Sequence, residues 1–411
     1  MLSSFSESLP VLFRRWKTVL VFSVSILTLI PGGLIVNAQA ASSDHGKGGV
    51  DLHAHLFMKE GMSWIFHGDF NHALQATSWT DKFKSKVGPD TLEDSGMKVV
   101  VVSLYAHPLM NISLRQSIHD QIDMAEAFVK ARPEWVIAKS AAEAQWALSA
   151  GKRVLVLSLE TAAGILENEE DLKTFIDARG IRIVTLLHLT ADHYGGVSFQ
   201  KGIKGFASPL DFMKSLVAPR RDANGIRVND VGLSAEGRKM TEALIRRHVW
   251  IDLCHASDEA QKGLIPLLKE AGQPLLYTHT SARHFYEAER VISDEQLEQV
   301  RETHGLVGLF PSEDMLDDVG PGVCKEGVGA MAEHYRYLAS KIGADSVMLG
   351  SDINAPLTGL RANACNEKPF VNYGDLPALW QALRKAGAPV PENLDSMTRR
   401  FLQAWTHVKA Q

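Results

Sequence analysis

The sequence predicts a (β/α)8 TIM barrel, built as a single catalytic domain over residues 49–411. Three observations carry that expectation. Eight runs rich in Val, Ile and Leu recur without polar alternation, the pattern of strands covered on both faces of a parallel sheet. Amphipathic stretches separate the runs, as repeated strand–helix units require. Most of the runs end in His, Glu or Asp, and the C-terminal ends of barrel strands gather on one face. A doubly wound open sheet is the competing arrangement, but no glycine-rich phosphate fingerprint follows the first run.

The first run, 50–55, closes on His53 and His55. Side chains at i and i+2 leave the same face of a strand, and neutral imidazole is the commonest metal ligand. The second run covers 98–105. The third, 153–160, ends in Glu160; the fourth, 182–188, in His188; the fifth, 249–255, in His255; the sixth, 274–279, in His279. The seventh, 305–310, ends in no such group, and the eighth, 346–352, ends in Asp352. Helical spacing is expected over 113–131, 171–179, 234–247, 257–271, 294–303 and 328–342, then near 376–386 and 393–407. Segments 57–94 and 194–233, after the first and fourth strands, exceed ordinary connections. Loops after barrel strands line the catalytic face, so both are expected to wall or cover it.

Composition excludes several partner classes. The 43 Lys and Arg against 48 Asp and Glu give a formal charge of -5, too mild to point to nucleic acid or an anionic surface. At the N-terminus Arg14, Arg15 and Lys17 precede a largely apolar stretch at 19–36, and Ala38-Gln39-Ala40 follows. This is the layout of a secretory signal peptide over 1–40, with 41–48 as a flexible linker. An uncleaved membrane anchor is the alternative. Either reading exports the protein to a periplasm or the cell exterior. Of the three cysteines, Cys324 and Cys365 lie in loop-like sequence and could pair in an oxidising compartment. Cys254, inside an apolar run, is expected to be a small buried hydrophobe. A homodimer is compatible with the sequence, and nothing specifies it.

A single strand-terminal His is usually a satisfied structural residue. Six of eight strands ending in His, Glu or Asp are harder to explain by packing. A buried unpaired cluster of such groups would be strongly destabilising unless a cation compensated it. Zinc takes His and carboxylate ligands in sets of three or four, so the joint reading is a metal site. His107, His119, His248, His284, His304 and His334 are expected to be structural or surface residues.

The pieces Asp51-Leu52-His53-Ala54-His55, Leu159-Glu160, Leu186-Leu187-His188-Leu189-Thr190, Gly232-Leu233-Ser234, Ile251-Asp252-Leu253-Cys254-His255-Ala256-Ser257-Asp258, Thr278-His279-Thr280-Ser281-Ala282-Arg283, Arg290 and Gly350-Ser351-Asp352 form an ordered set. As a set, the chain resembles the renal (membrane) dipeptidase family of zinc metallopeptidases, within the amidohydrolase-type barrels. The resemblance implies two Zn2+ ions. His53 and His55 would hold the first, Glu160 would bridge, and His255 and His279 would hold the second. Asp352 would be the acid/base carboxylate, His188 would contact the substrate oxyanion with His193 of the same loop as its competitor, and Arg290 would receive the substrate's carboxylate with Arg283 as its competitor. The chain departs from the family at His55, where Asp is usual, and at Val291, where Asn is common. The first departure bears on metal identity and affinity, the second on the substrate.

Two divalent cations a few Å apart lower the pKa of a bridging water from about 15.7 toward about 7. The hydroxide so formed would attack a dipeptide carbonyl, with Asp352 shuttling the proton to the leaving amine. Two other readings stay open: the same centre acting on a different small amide, lactone or phosphoester, and an exported binding protein without catalysis.

Overall fold

The computed structural model describes residues 48–58, 85–107, 111, 113–189, 191–201, 220–312, 315–316, 319–324, 327–355, 370 and 372–408. The apolar runs become parallel strands because helices cover one side and the barrel interior the other. Eight strands make the barrel: β1 (Val50–Ala54), β2 (Val99–Leu104), β4 (Arg153–Glu160), β5 (Ile183–Thr185), β8 (Trp250–Asp252), β9 (Leu276–Thr280), β10 (Leu306–Leu309) and β11 (Val347–Leu349). Their order around the sheet is β2-β1-β11-β10-β9-β8-β5-β4, and pairing of β2 with β4 closes it. Every pair in this sheet is parallel. All eight runs picked out above therefore become barrel strands.

The additional strands are short. β3 (Trp135–Ile137) pairs with Arg153–Leu155 of β4, while Ser158–Glu160 at the other end of β4 pair with β5. β6 (Arg220–Arg221) and β7 (Arg227–Val228) form an antiparallel hairpin within the long segment after β5. Two- and three-residue strands are too short to show a period.

The helices are α1 (Pro89–Asp94), α2 (Leu114–Ala131), α3 (Ala141–Ser149), α4 (Ala235–Ile245), α5 (Asp258–Glu270), α6 (Asp294–Glu302), α7 (Val328–Ile342), α8 (Leu376–Lys385) and α9 (Asp395–Thr406). Serine starts five of them. The side chains of Ser113, Ser140, Ser234, Ser257 and Ser293 each accept a backbone N–H one turn in, a cap worth about 1 kcal/mol. Ser257 and Ser293 do this two or three residues after His255 and Arg290, fixing where each site-bearing loop turns into helix. Where an α-helix is expected over 171–179, the chain winds as a π-helix at Leu172–Ala178.

Three expected strands overshoot the hydrogen-bonded ladder. β5, β8 and β11 stop at Thr185, Asp252 and Leu349, so His188, His255 and Asp352 each lie three residues beyond their strand. The apolar character continues because the intervening residues stay buried, Leu186, Leu187, Leu253 and Cys254 among them. The chain then turns sharply toward the axis, with positive φ at His255 (65°) and Asp352 (48°). Left-handed backbone in residues other than glycine is uncommon and concentrates at functional sites.

Asp44–Gln411 form one compact unit. Among the described residues no helix is long and apolar enough to cross a membrane. The leader, linker residues 41–47 and Cys365 lie outside the described residues. Cys324 is disulfide-bonded and Cys254 is free and buried.

The barrel interior is tight where β9, β10 and β11 meet. A Cβ on Gly308 would lie 1.9 Å from the Thr278 carbonyl oxygen, and one on Gly350 2.2 Å from the same atom. Backbone on both sides cannot yield, so overpacking here costs about 2–3 kcal/mol. Gly308→Ala is expected to lower the thermal midpoint by about 3–4 °C; an unchanged midpoint would contradict this packing.

Candidate metal centre

The centre is built around one carboxylate. Glu160, the last residue of β4, is buried, and five imidazoles point their Nε2 atoms at it. His53, His188, His255 and His279 lie 3.4, 3.3, 3.5 and 3.7 Å from Oε1, and His55 lies 3.2 Å from Oε2. Asp352 joins on one side, its Oδ1 3.1 Å from His55 Nε2 and 3.8 Å from His53 Nε2. The four residues expected to flank Glu160 as ligands are thus together, although the sequence separates His53 from His279 by 226 positions.

The donor atoms fall into sets close enough to share an ion. Those of His53, His55 and Asp352 lie within 4.8 Å of one another, as do those of Glu160, His188 and His255. The His255 and His279 Nε2 atoms are 2.9 Å apart. Arg290 Nη2 sits 3.0 Å from His255 Nε2, and a guanidinium can only donate, so that nitrogen presents its lone pair. His53 Nε2 is buried and makes no hydrogen bond. Lone pairs converging on a buried site with an unpartnered nitrogen are what a divalent cation compensates. The residues present fit zinc in both ligand type and number.

Protonation follows from burial and neighbours. Burial pushes the His255 and His279 imidazoles well below their usual range and His188 down to about 4, which keeps all three neutral. Burial works to raise the Glu160 carboxyl, but His188, His53 and His255 beside it outweigh that and hold it well below the ordinary carboxylate range.

The segment carrying Arg290 separates the two candidate carboxylate binders. Arg283 is fully engaged: its guanidinium grips Asp258 at 2.7 and 2.9 Å and donates to the Val291 and Glu289 carbonyls. Arg290 is also buried, but its Nε and Nη1 have no partner. Arg290 is therefore the group with donors to spare. His193 faces Glu167 at 3.1 Å and is largely exposed, which removes it as a substitute for His188.

The membrane dipeptidase family, peptidase family M19, matches residues 212–365. Over those residues the chain is similar to that family. The dipeptidase ataJ of Aspergillus terreus is 25% identical over 247 residues, 60% of this chain and 57% of that protein. This chain thus spans little more than half the length of that relative. Among solved structures, the dipeptidase AC of family M19 superposes with a TM-score of 0.65 at 19% identity, covering 89% of this chain and 100% of that one. A metallopeptidase from Rhodobacter sphaeroides, liganded with a phosphinate mimic of the dipeptide L-Ala-D-Ala, gives 0.65 at 19% identity, covering 88% and 99%. Both share the (β/α)8 barrel.

Both departures from the family pattern fall in this region. His55 donates through Nδ1 to the Ser103 carbonyl oxygen, 3.1 Å away, which leaves Nε2 facing Glu160 and Asp352. Val291 packs in a small apolar cluster with Tyr286, Ala288, Phe310 and Met315. Three residues at the centre were given no role from the sequence. Tyr105 ends the second run and sets its ring edge-on to His188, centroids 4.8 Å apart; the strand-end rule would have found it had phenols been counted. Asp252 and Thr278, which stand in the quoted pieces only as neighbours of His255 and His279, lie one layer below the imidazoles.

Glu289, next to Arg290, ties the long segment after β5 to the loop that carries Arg290. Its carboxylate accepts the backbone N–H of Phe199 at 2.8 Å, Asn229 at 2.9 Å and Asp258 at 3.0 Å. Burial outweighs those bonds and pushes its pKa up from 4.5 to about 8. A raised carboxyl pKa stabilises the fold below the ordinary value and loses that contribution as pH rises through the folded value. Between pH 5 and 8, wild type should lose stability relative to Glu289→Gln, at most about 1.4 kcal/mol per pH unit. Denaturant titrations across that range test it; a pH-independent difference would contradict the assignment.

Proposed function

We propose that this chain is an exported dipeptidase that hydrolyses the amide bond of a small dipeptide at a pair of zinc ions. Arg290 is the observation that carries the substrate class. A buried guanidinium with two unpartnered nitrogens, one contact away from His255, suits a carboxylate presented beside the scissile bond. Bidentate capture of that kind requires arginine. A lactone or neutral phosphoester would leave those donors unmatched. The dipeptide mimic carried by the Rhodobacter sphaeroides structure supports the same substrate class.

His53 and His55 would hold one ion and His255 and His279 the other, with Glu160 between them. When bound, the pair supplies Lewis acidity and a water acidic enough to deprotonate near neutral pH. The chain's own groups do the rest. Arg290 anchors the dipeptide's terminal carboxylate and so places its amide over the imidazole cluster. Neutral His188, the cluster's fifth imidazole, donates to the oxygen that becomes negative as the carbonyl turns tetrahedral. Asp352 accepts a proton from the attacking water and returns it to the leaving nitrogen as the C–N bond breaks. Products are two free amino acids, one with a new carboxylate and one with a new amine.

Export belongs to the same proposal and rests on the leader-like residues 14–40; N-terminal sequencing of the protein from cell fractions tests it. Asp352→Asn is expected to lower kcat by about 10²–10⁴-fold while metal content stays unchanged. Arg290→Lys should raise KM for dipeptides by about 10–100-fold, the loss of a charged, paired hydrogen bond. Amidating the dipeptide's C-terminus should cost the wild type a similar factor. Equal kcat/KM for dipeptides and their C-terminal amides would overturn the role of Arg290.

A further inference from the structure

Beneath the imidazoles lies a polar hub inside the barrel. The buried Asp252 carboxylate ends β8 and accepts four hydrogen bonds. Its Oδ2 takes the hydroxyls of Thr278 at 2.6 Å and Thr185 at 2.7 Å. Its Oδ1 takes the backbone N–H of Thr278 at 2.9 Å and of Cys254 at 3.1 Å. All its acceptor positions are filled.

The Thr278 hydroxyl has one proton, and Asp252 receives it. The oxygen can then only accept. Two ring nitrogens face it at 3.0 Å each: His53 Nδ1 and His279 Nδ1. Both must therefore donate. In a neutral imidazole a proton on Nδ1 leaves a lone pair on Nε2, and these are the Nε2 atoms that point at Glu160. The same logic explains a third close-set group, His53, Asp252 and His279: its atoms surround the Thr278 hydroxyl and form a hydrogen-bond hub with no room for a cation.

We propose that Thr278 is a positioning residue whose one hydroxyl, aimed by Asp252, fixes the ligand tautomer of His53 and His279 together. The two rings belong to opposite halves of the centre, so the hydroxyl couples them. Without it either ring is free to carry its proton on Nε2, where it blocks a metal. The inference rests on reading the imidazole cluster as a two-ion centre. The tautomers themselves do not depend on that reading.

Two measurements test it. Thr278→Val keeps the side-chain shape and removes the hydroxyl. Zinc affinity, measured on the full chain by competition with a chromophoric chelator, should fall about 10–100-fold at both positions, the usual cost of losing an outer-shell partner. Thr278→Ser should restore most of it. Wild-type affinity at both positions in Thr278→Val, or loss confined to one, would overturn the proposal. If that variant fails to fold, histidine ¹⁵N spectra of the metal-stripped wild-type chain decide. Nδ1–H at both His53 and His279 is expected, and Nε2–H at either overturns it. A chain that binds no zinc, yet shows both Nδ1–H tautomers, would sink the two-ion reading and leave the hydroxyl's role standing.

Discussion

Everything at the catalytic face depends on the buried Glu160 carboxylate and the five imidazoles aimed at it. Removing a carboxylate from water is costly unless opposite charge or hydrogen bonds replace the solvent. Here the surrounding Nε2 atoms lie 3.2–3.7 Å away, and three of those rings are kept neutral by burial. Such an arrangement is poorly balanced as a set of ion pairs and well balanced around divalent cations. The barrel supplies what makes it possible: six different strands deliver one group each, or two in the case of β1, to a common axis.

Support for the centre is layered. The top layer holds Glu160, Asp352 and the five imidazoles. The layer below orients it: Ser103 through a carbonyl, Thr278 through a hydroxyl, Asp252 through a carboxylate with every acceptor position used. Asp51 plays a similar part at β1, accepting the Ser351 N–H at 3.0 Å and the Tyr373 hydroxyl at 2.6 Å, and so tethers the turn that presents Asp352. The left-handed backbone at His255 and Asp352 is tolerated because these layers over-determine it.

The fold was legible because a parallel barrel writes itself as eight unbroken apolar runs, and each run found here became a strand. The clustered residues were legible because a strand end is a topologically marked place, so His53, Glu160 and His279 could be named without knowing their neighbours. The supporting layer was not. Thr278 and Asp252 are common residues whose meaning lies in which atoms sit 3 Å away, and no spacing rule encodes that. The choice between Arg290 and Arg283 was likewise invisible in sequence: it turns on Asp258 and two carbonyls occupying one guanidinium and sparing the other. β3 and the β6–β7 hairpin were too short to leave a periodic trace.

The central claim is that these residues hold two ions on either side of Glu160. Anomalous diffraction at the zinc absorption edge, from crystals of protein purified without chelator, tests it most directly. Two peaks about 3.5–4 Å apart are expected, one beside His53 and His55 and one beside His255 and His279, with Glu160 touching both. A single peak elsewhere, or none with the imidazoles still in this arrangement, would contradict it.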